Sequence, residues 1–347
     1  MTLQIIEIIP GIKKAVEATV NPGEDVLILG STDINPMAYE AIAGVCTSMG
    51  CEVTLALSSP RLRMQDEPTQ MMAKAMLGAQ VVLQCLSTSL AHTTASTEAG
   101  LAGVRIVSMY LQKGQELRIL KSFQDVDVLE TRRYTISGNN LINEAMKKGN
   151  DLHMTSPLGM DFRCRLLKGF EPDEWYTHYG IMVGPHRQYK TGFTAWPPST
   201  LHPYIEEDSA EGVFVADKSI DVIGALSEPV KLYFKQGEVI KVEGGIDAVN
   251  LDSLLASMDH NSRKFGLFGI GSSKFIPTTG FWGEHRRKSG AVVIGMGKNN
   301  TYPYFVPRLN RIIGTIESKM HWDAVASNPT CTIAGIETVI NGNPCWE

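Results

Sequence analysis

The triplet His321-Trp322-Asp323, in the stretch ESKMHWDAV, is the local arrangement in this chain with the most chemical content. On an extended segment alternate side chains share a face, so His321 and Asp323 can converge on one ion or one substrate atom while Trp322 turns away. Such a pair is two of the three donors of a facial metal site, and equally an ordinary hydrogen-bonded pair. A second candidate is His92 in STSLAHTTASTEAG, just after an apolar run ending near Leu86. In an open α/β sheet ligands gather beyond the carboxyl ends of the strands, where a histidine with an ordinary pKa near 6.5 can act as a general base. The plainer role for His92 is a contact at a helix N-terminus.

Other motifs carry less. TSPLGMDFR places Ser156, Asp161 and Arg163 around a Gly-containing turn. Arg163 could bind a substrate carboxylate or oxyanion, or simply pair with Asp161. EEDSAEG (Glu206–Gly212) reads as a solvated acidic turn. GLFGIGSS (Gly266–Ser273) neither matches GxGxxG nor opens a helix, which argues against a dinucleotide site. Walker A, GxSxG and HExxH patterns are missing from the sequence. The basic run HRRK (His285–Lys288) reads as a solvated turn, since no array of aromatic residues surrounds it on which bases could stack.

Composition narrows the classes. With 347 residues, 43% of them apolar and 20% charged, the chain has ample material for a core and a length that suits two domains. A net charge of −5, from 32 basic and 37 acidic residues, gives no electrostatic reason to expect nucleic acid or an anionic membrane as partner. The six cysteines form no CxxC pair, so neither a zinc ribbon nor a disulfide framework is indicated, and a reducing, cytoplasmic setting is expected. No window approaches the roughly 18 apolar residues that span a bilayer.

The elements that must position these residues change character along the chain. DVLILG, CEVTLAL, QVVLQCLS and VRIVSMY are short apolar runs separated by helical segments capped by Ser, Thr or Asp and stopped by Gly. That alternation predicts a mostly parallel sheet covered on both faces. Beyond Asp151 helices thin out, apart from one over roughly Ala248–Met258, and Gly, Pro and aromatic residues multiply. KLYFKQGEVIKVEGG is a hairpin joined at Gln236-Gly237, and GVFVAD, GAVVIGMG and CTIAG/TVINGNP add further strands. We therefore expect an α/β domain over residues 1–135, then a β-rich α+β domain over residues 136–347 that carries the HxD motif.

The order of LAHTTASTEAG, TSPLGMDF, DSAEGVFVAD, EPVKLYFKQGEVIKVEGG, FGIG, HWD and INGNP resembles the aminopeptidase T-like superfamily over nearly the whole chain. That superfamily includes metallo-aminopeptidases and the iron-dependent 2,5-dihydroxypyridine 5,6-dioxygenases, the branch this chain resembles more. The resemblance implies an α/β domain followed by a β-rich domain holding most metal ligands, and a homo-oligomer. It also implies a small, N-heterocyclic substrate, with His92 as catalytic base. His321 and Asp323 match the family's HxD ligands. Two departures stand out. Leu267 occupies the place where the dioxygenases have a histidine, and Val293 a place where the peptidases have another. Neither can ligate a metal, which disfavours a dinuclear peptidase site.

Three readings follow. In the first, a mononuclear Fe(II) dioxygenase opens the ring, using His321, Asp323 and a third ligand from His285, His202 or Glu284. His92 then takes a hydroxyl proton, and Arg163 or Ser156 orients the ring. In the second, the same pocket works without metal as a hydrolase of a cyclic amide-type bond, Asp323 orienting and charge-stabilising a histidine. In the third, the scaffold is a non-catalytic small-molecule binder.

Overall fold

The apolar runs of the first third become the elements their periodicity predicts. In the computed structural model, which describes residues 2–61, 63–187, 192–198, 200–277, 280–300 and 314–346, the chain divides into two units. The first comprises Met1–Val128 and His178–Pro198, the second Leu129–Thr177 and Ser199–Glu347. The single boundary expected at 135/136 is thus corrected in two ways. The long helix that follows Val128 belongs with the second unit, and a later segment returns to the first because its strand completes the parallel sheet.

In the first unit the order is α1 (Thr2–Thr19), β1 (Asp25–Ser31), α2 (Pro36–Ser48), β2 (Glu52–Ser58), α3 (Gln70–Gly78), β3 (Val81–Cys85), α4 (Thr94–Leu101), β4 (Arg105–Met109) and α5 (Glu116–Ser122). Asn35, Thr69 and Thr93 accept backbone N–H groups at the starts of α2, α3 and α4, satisfying donors that a helix's first turn leaves unpaired. The strands β1, β3 and β4 are buried along nearly their whole length, as continuous apolar runs in a covered parallel sheet should be. The sheet order is β2-β1-β3-β4-β7, all parallel, where β7 is Gly192–Trp196.

The second unit is antiparallel. After α6 (Val128–Lys148) come β5 (Asp151–Ser156), β6 (Met160–Arg165), β8 (Thr200–Leu201), β9 (Glu211–Ala216), β10 (Ser219–Ile220), β11 (Gly224–Ala225), β12 (Val230–Lys235) and β13 (Glu238–Glu243). Then follow α7 (Ile246–Ala256), β14 (Phe265–Gly271), the short α8 (Trp282–His285), β15 (Val292–Gly297), β16 (His321–Ala326), β17 (Thr330–Ile333), β18 (Ile336–Ile340) and β19 (Asn343–Pro344). One sheet runs β13-β12-β9-β6-β5-β17-β18-β19 and the other β11-β10-β16-β15-β14-β8. Gln236 and Gly237 both take positive φ, 49° and 75°, as the predicted two-residue hairpin turn requires. Phe162 of the larger sheet meets Phe214, Phe234 and Phe265 edge-on, with ring centroids 5.8, 5.1 and 5.7 Å away, and this cluster joins the two sheets at β14. GLFGIGSS, far from a phosphate loop, is this fully buried strand and its exit.

Candidate active site

The six-stranded sheet places three positions in one cross-strand row. Leu267 on β14 pairs with Gly295 on β15, which pairs with Asp323 on β16, and Gly297 pairs with His321. Alternate residues share a face, so Leu267, Gly295, Asp323 and His321 look out on the same side. Gly295 has no side chain to fill the space between them. A Cβ there would lie 2.9 Å from Asp323 Oδ1, 2.9 Å from Leu267 Cβ and 3.0 Å from His321 Cε1. The sequence expectation that His321 and Asp323 converge is met at the level of geometry. Nε2 of His321 is 3.2 Å from Oδ1 of Asp323, and both residues are buried. Trp322 points the other way, its Nε1 donating to the carbonyl of Ser262 at 2.8 Å.

The second ring nitrogen of His321 fixes its orientation. Nδ1 lies 2.8 Å from the Lys298 carbonyl, which only accepts, so Nδ1 carries a proton and Nε2 faces Asp323. Asp323 is fixed as well: its backbone N–H donates to Asp221 Oδ1 at 2.9 Å, and its carbonyl accepts from the Asp221 N–H. Its other carboxylate oxygen, Oδ2, accepts a hydrogen bond from Nη1 of Arg286. Burial by itself would raise the Asp323 pKa, but the Arg286 guanidinium and then His321 hold it down to about 2. Asp221 goes the opposite way: burial of its carboxyl and the nearby Asp323 charge push it well above the usual carboxylate range. Its Oδ2 is out of contact with solvent and has no hydrogen-bond partner among the described residues.

Arg286 and Asp221 are the members of this cluster that sequence reasoning missed. HRRK is not a solvated turn: Arg286 and Arg287 are buried and Lys288 alone is exposed. The run ends a short helix, and a signal was present in its neighbours, since FWGEHRRKSGAVVIG sets it between aromatic residues and a wholly apolar strand.

The expected third metal ligands do not assemble. His202 is buried on the same face of β14 as Leu267, its ring where a side chain at Gly269 would lie, with Nδ1 donating to the Phe268 carbonyl at 2.9 Å. Burial and then the Arg286 charge lower its pKa to about 3, so it is neutral. Glu284 and His285 are buried in α8, but the residue that α8 delivers to Asp323 is Arg286. Among the described residues no group of three or more His, Cys, Asp or Glu side chains could hold a metal ion. A mononuclear centre needs three donors around open positions, and here the third place in the row is Leu267 and the carboxylate already carries a guanidinium. Among the described residues the donor set does not fit a resident metal.

Within the second unit, Arg163 and Ser156 lie apart from this cluster. Arg163 is on the solvent face of β6, its side chain 61% exposed and 3.7 Å from Asp161, so the ion-pair alternative describes it. Asp161 also accepts from His153 at 2.7 Å. Ser156 ends β5 and lines a cavity of about 220 Å³ with Val215, Asp217 and Ala326, at the end of β16 opposite His321. In the first unit His92 follows β3 and precedes the capping residue Thr93. It is buried, and its backbone N–H donates to Gln65 Oε1 at 2.7 Å. Around the carboxyl ends of the parallel strands, Asp33 accepts from Ser31 and from Ser87, and Ser89 meets the Tyr110 hydroxyl at 3.2 Å. By its place after β3, His92 lies at a strand end of the kind where open α/β sheets bind ligands.

Comparison with known proteins agrees with this architecture. The 2,5-dihydroxypyridine dioxygenase of Pseudomonas putida KT2440 shares the fold with a TM-score of 0.73 and 18% identity, covering 97% of this chain and 96% of that one. Wild-type AmpT from Thermus thermophilus shares it with a TM-score of 0.66 and 14% identity, covering 98% of each chain. A search of curated proteins finds no match. A sequence family described as NicX, 2,5-dihydroxypyridine 5,6-dioxygenase, matches residues 12–275, a span that ends before Arg286 and the HxD pair. The chain therefore belongs to the 2,5-dihydroxypyridine 5,6-dioxygenase family and is a ring-cleaving enzyme of that family.

Proposed function

We propose that this protein opens the ring of a small, oxygen-bearing N-heterocycle, and that its polar centre is the cluster of His321, Asp323 and Arg286. The family match over residues 12–275 carries the ring-opening reading. The donor set favours the water-based form. In that form the oxygen of water bonds to a ring carbonyl carbon, the C–N bond of the cyclic amide breaks, and the nitrogen takes a proton. No electrons leave the substrate and no co-reactant other than water is consumed. Within the cluster Arg286, its positively charged side, stabilises the oxygen that becomes anionic, and His92 keeps the general-base role that the family resemblance gives it. Asp323, ionised across the neutral pH range, orients both His321 and Arg286.

The oxidative form remains the second reading, favoured by the family's described reaction. It requires a metal ligand beyond the His321–Asp323 pair.

A panel of hydroxypyridines and their partly reduced cyclic amides, followed by loss of ring absorbance, tests the proposal. At least one compound should be opened, and Asp323→Asn should abolish the activity; a panel left intact by the folded wild-type protein contradicts it. His92→Gln should lower kcat by roughly 10²–10⁴-fold, the usual contribution of a general base, without moving Tm. Unchanged kcat would remove His92 from the mechanism.

A further inference from the structure

We infer that Arg286 is a built-in cation standing in for a metal ion, and that Leu267 and Arg286 together keep divalent ions out of a site that is otherwise two-thirds built. The inference rests on geometry and holds whatever the substrate proves to be.

His321 retains the posture of a metal ligand: Nδ1 donates to a backbone carbonyl and Nε2 faces inward, the arrangement that fixes the tautomer of ligating histidines. Asp323 turns Oδ1 to the same point. Position 267 faces that point too, since Leu267 Cβ, Asp323 Oδ1 and His321 Cε1 all lie within 3.0 Å of one place above Gly295. Three side chains from β14 and β16, the strands on either side of Gly295, therefore surround one small space, and one of them is a leucine. A buried carboxylate needs a compensating charge, because desolvating it alone costs several kcal/mol. A divalent ion would supply that charge in a complete site; here the guanidinium on Oδ2 does. Arg286 caps the C-terminus of α8, outside the strand row, so it is an addition to the row rather than a rearrangement of it. A fixed guanidinium offers charge and N–H donors but no exchangeable coordination position, which suits holding an anionic oxygen and not activating dioxygen.

The test uses full-length protein freed of metal by chelation and titrated with Co²⁺, read by calorimetry and by the visible absorption of bound cobalt. Wild-type protein should bind no stoichiometric Co²⁺ at the His321–Asp323 pair. Leu267→His with Arg286→Gln should bind about one Co²⁺ per chain, roughly 100-fold or more tighter than wild type, as gaining a ligand and losing a competing charge requires. Leu267→His alone should bind far more weakly than the double variant, because the guanidinium remains. Two results overturn the inference: one Co²⁺ per wild-type chain lost on His321→Ala, or a folded double variant that binds none. If the double variant does not fold, the wild-type titration decides by itself. Because metal binding is read without turnover, failure here is separable from failure of the proposed reaction.

Discussion

At Asp323 two interactions meet on the side chain, from Arg286 and His321, and a third, with Asp221, on the backbone N–H, and they set what the residue can do. A carboxylate held down to about 2 by a guanidinium and an imidazole is ionised in the folded state at any ordinary pH. Its stabilising contribution is present above the unfolded carboxylate value, near 3.9, and is lost as pH falls toward about 2. Removing its partner is costly: Arg286→Met leaves a buried charge uncompensated and should lose about 3–5 kcal/mol of unfolding free energy, measured by denaturant titration. Asp221 behaves in the reverse sense. Its folded pKa is raised, so its favourable contribution is present below the unfolded value and is lost as pH rises. Asp221→Asn keeps an acceptor for the Asp323 N–H and cannot ionise. The variant's Tm should therefore exceed that of wild type by a margin that widens between about pH 4 and about pH 8, on the same linkage argument. An equal margin at both ends would show that Asp221 is charged in the folded protein. The HxD spacing made His321 and Asp323 legible from sequence alone. Asp221 was not, because it reaches Asp323 only through the pairing of β10 with β16.

Strands and helices explain why part of the centre was hidden. The row Leu267–Gly295–Asp323 depends on the register of β14 against β15, which slips by one residue between Phe265 and Leu267. Such a bulge reverses which side chains share a face, and periodicity cannot foresee it. Leu267 was picked out by resemblance; that it adjoins the HxD pair is a result of register. Gly295 is the element-level requirement of the site. Gly295→Ala would place a Cβ against the backbone-anchored Leu267 Cβ and against both polar side chains, so it should cost about 1–3 kcal/mol, as overpacking does, and lower activity together with Tm. A neutral Gly295→Ala would mean that the row opens more easily than its spacing indicates. The run HRRK was misjudged for a related reason. Charge argues for solvent, whereas burial of Arg286 is decided by a carboxylate 37 residues later.

Over the whole molecule the sequence pattern was clearest where it was most regular. Alternating apolar runs and capped helices gave four of the five strands of the parallel sheet, and the Gln236-Gly237 hairpin appeared where turn chemistry put it. The division of the chain was harder to read, because β7 is separated from β4 by the whole of α6, β5 and β6 and still joins the parallel sheet. Composition changes at residue 151, but membership of a unit follows hydrogen bonding, and the segment His178–Pro198 carries no compositional mark of its return. No helix among the described residues is long and apolar enough to cross a membrane. One site in this chain holds a leucine where the family resemblance implies a third ligand, and an arginine on the carboxylate. The most direct test of that account is ring opening by chelator-treated protein under anaerobic conditions. The account predicts turnover equal to that of untreated protein in air; activity that vanishes and returns only with Fe(II) and O₂ would contradict it.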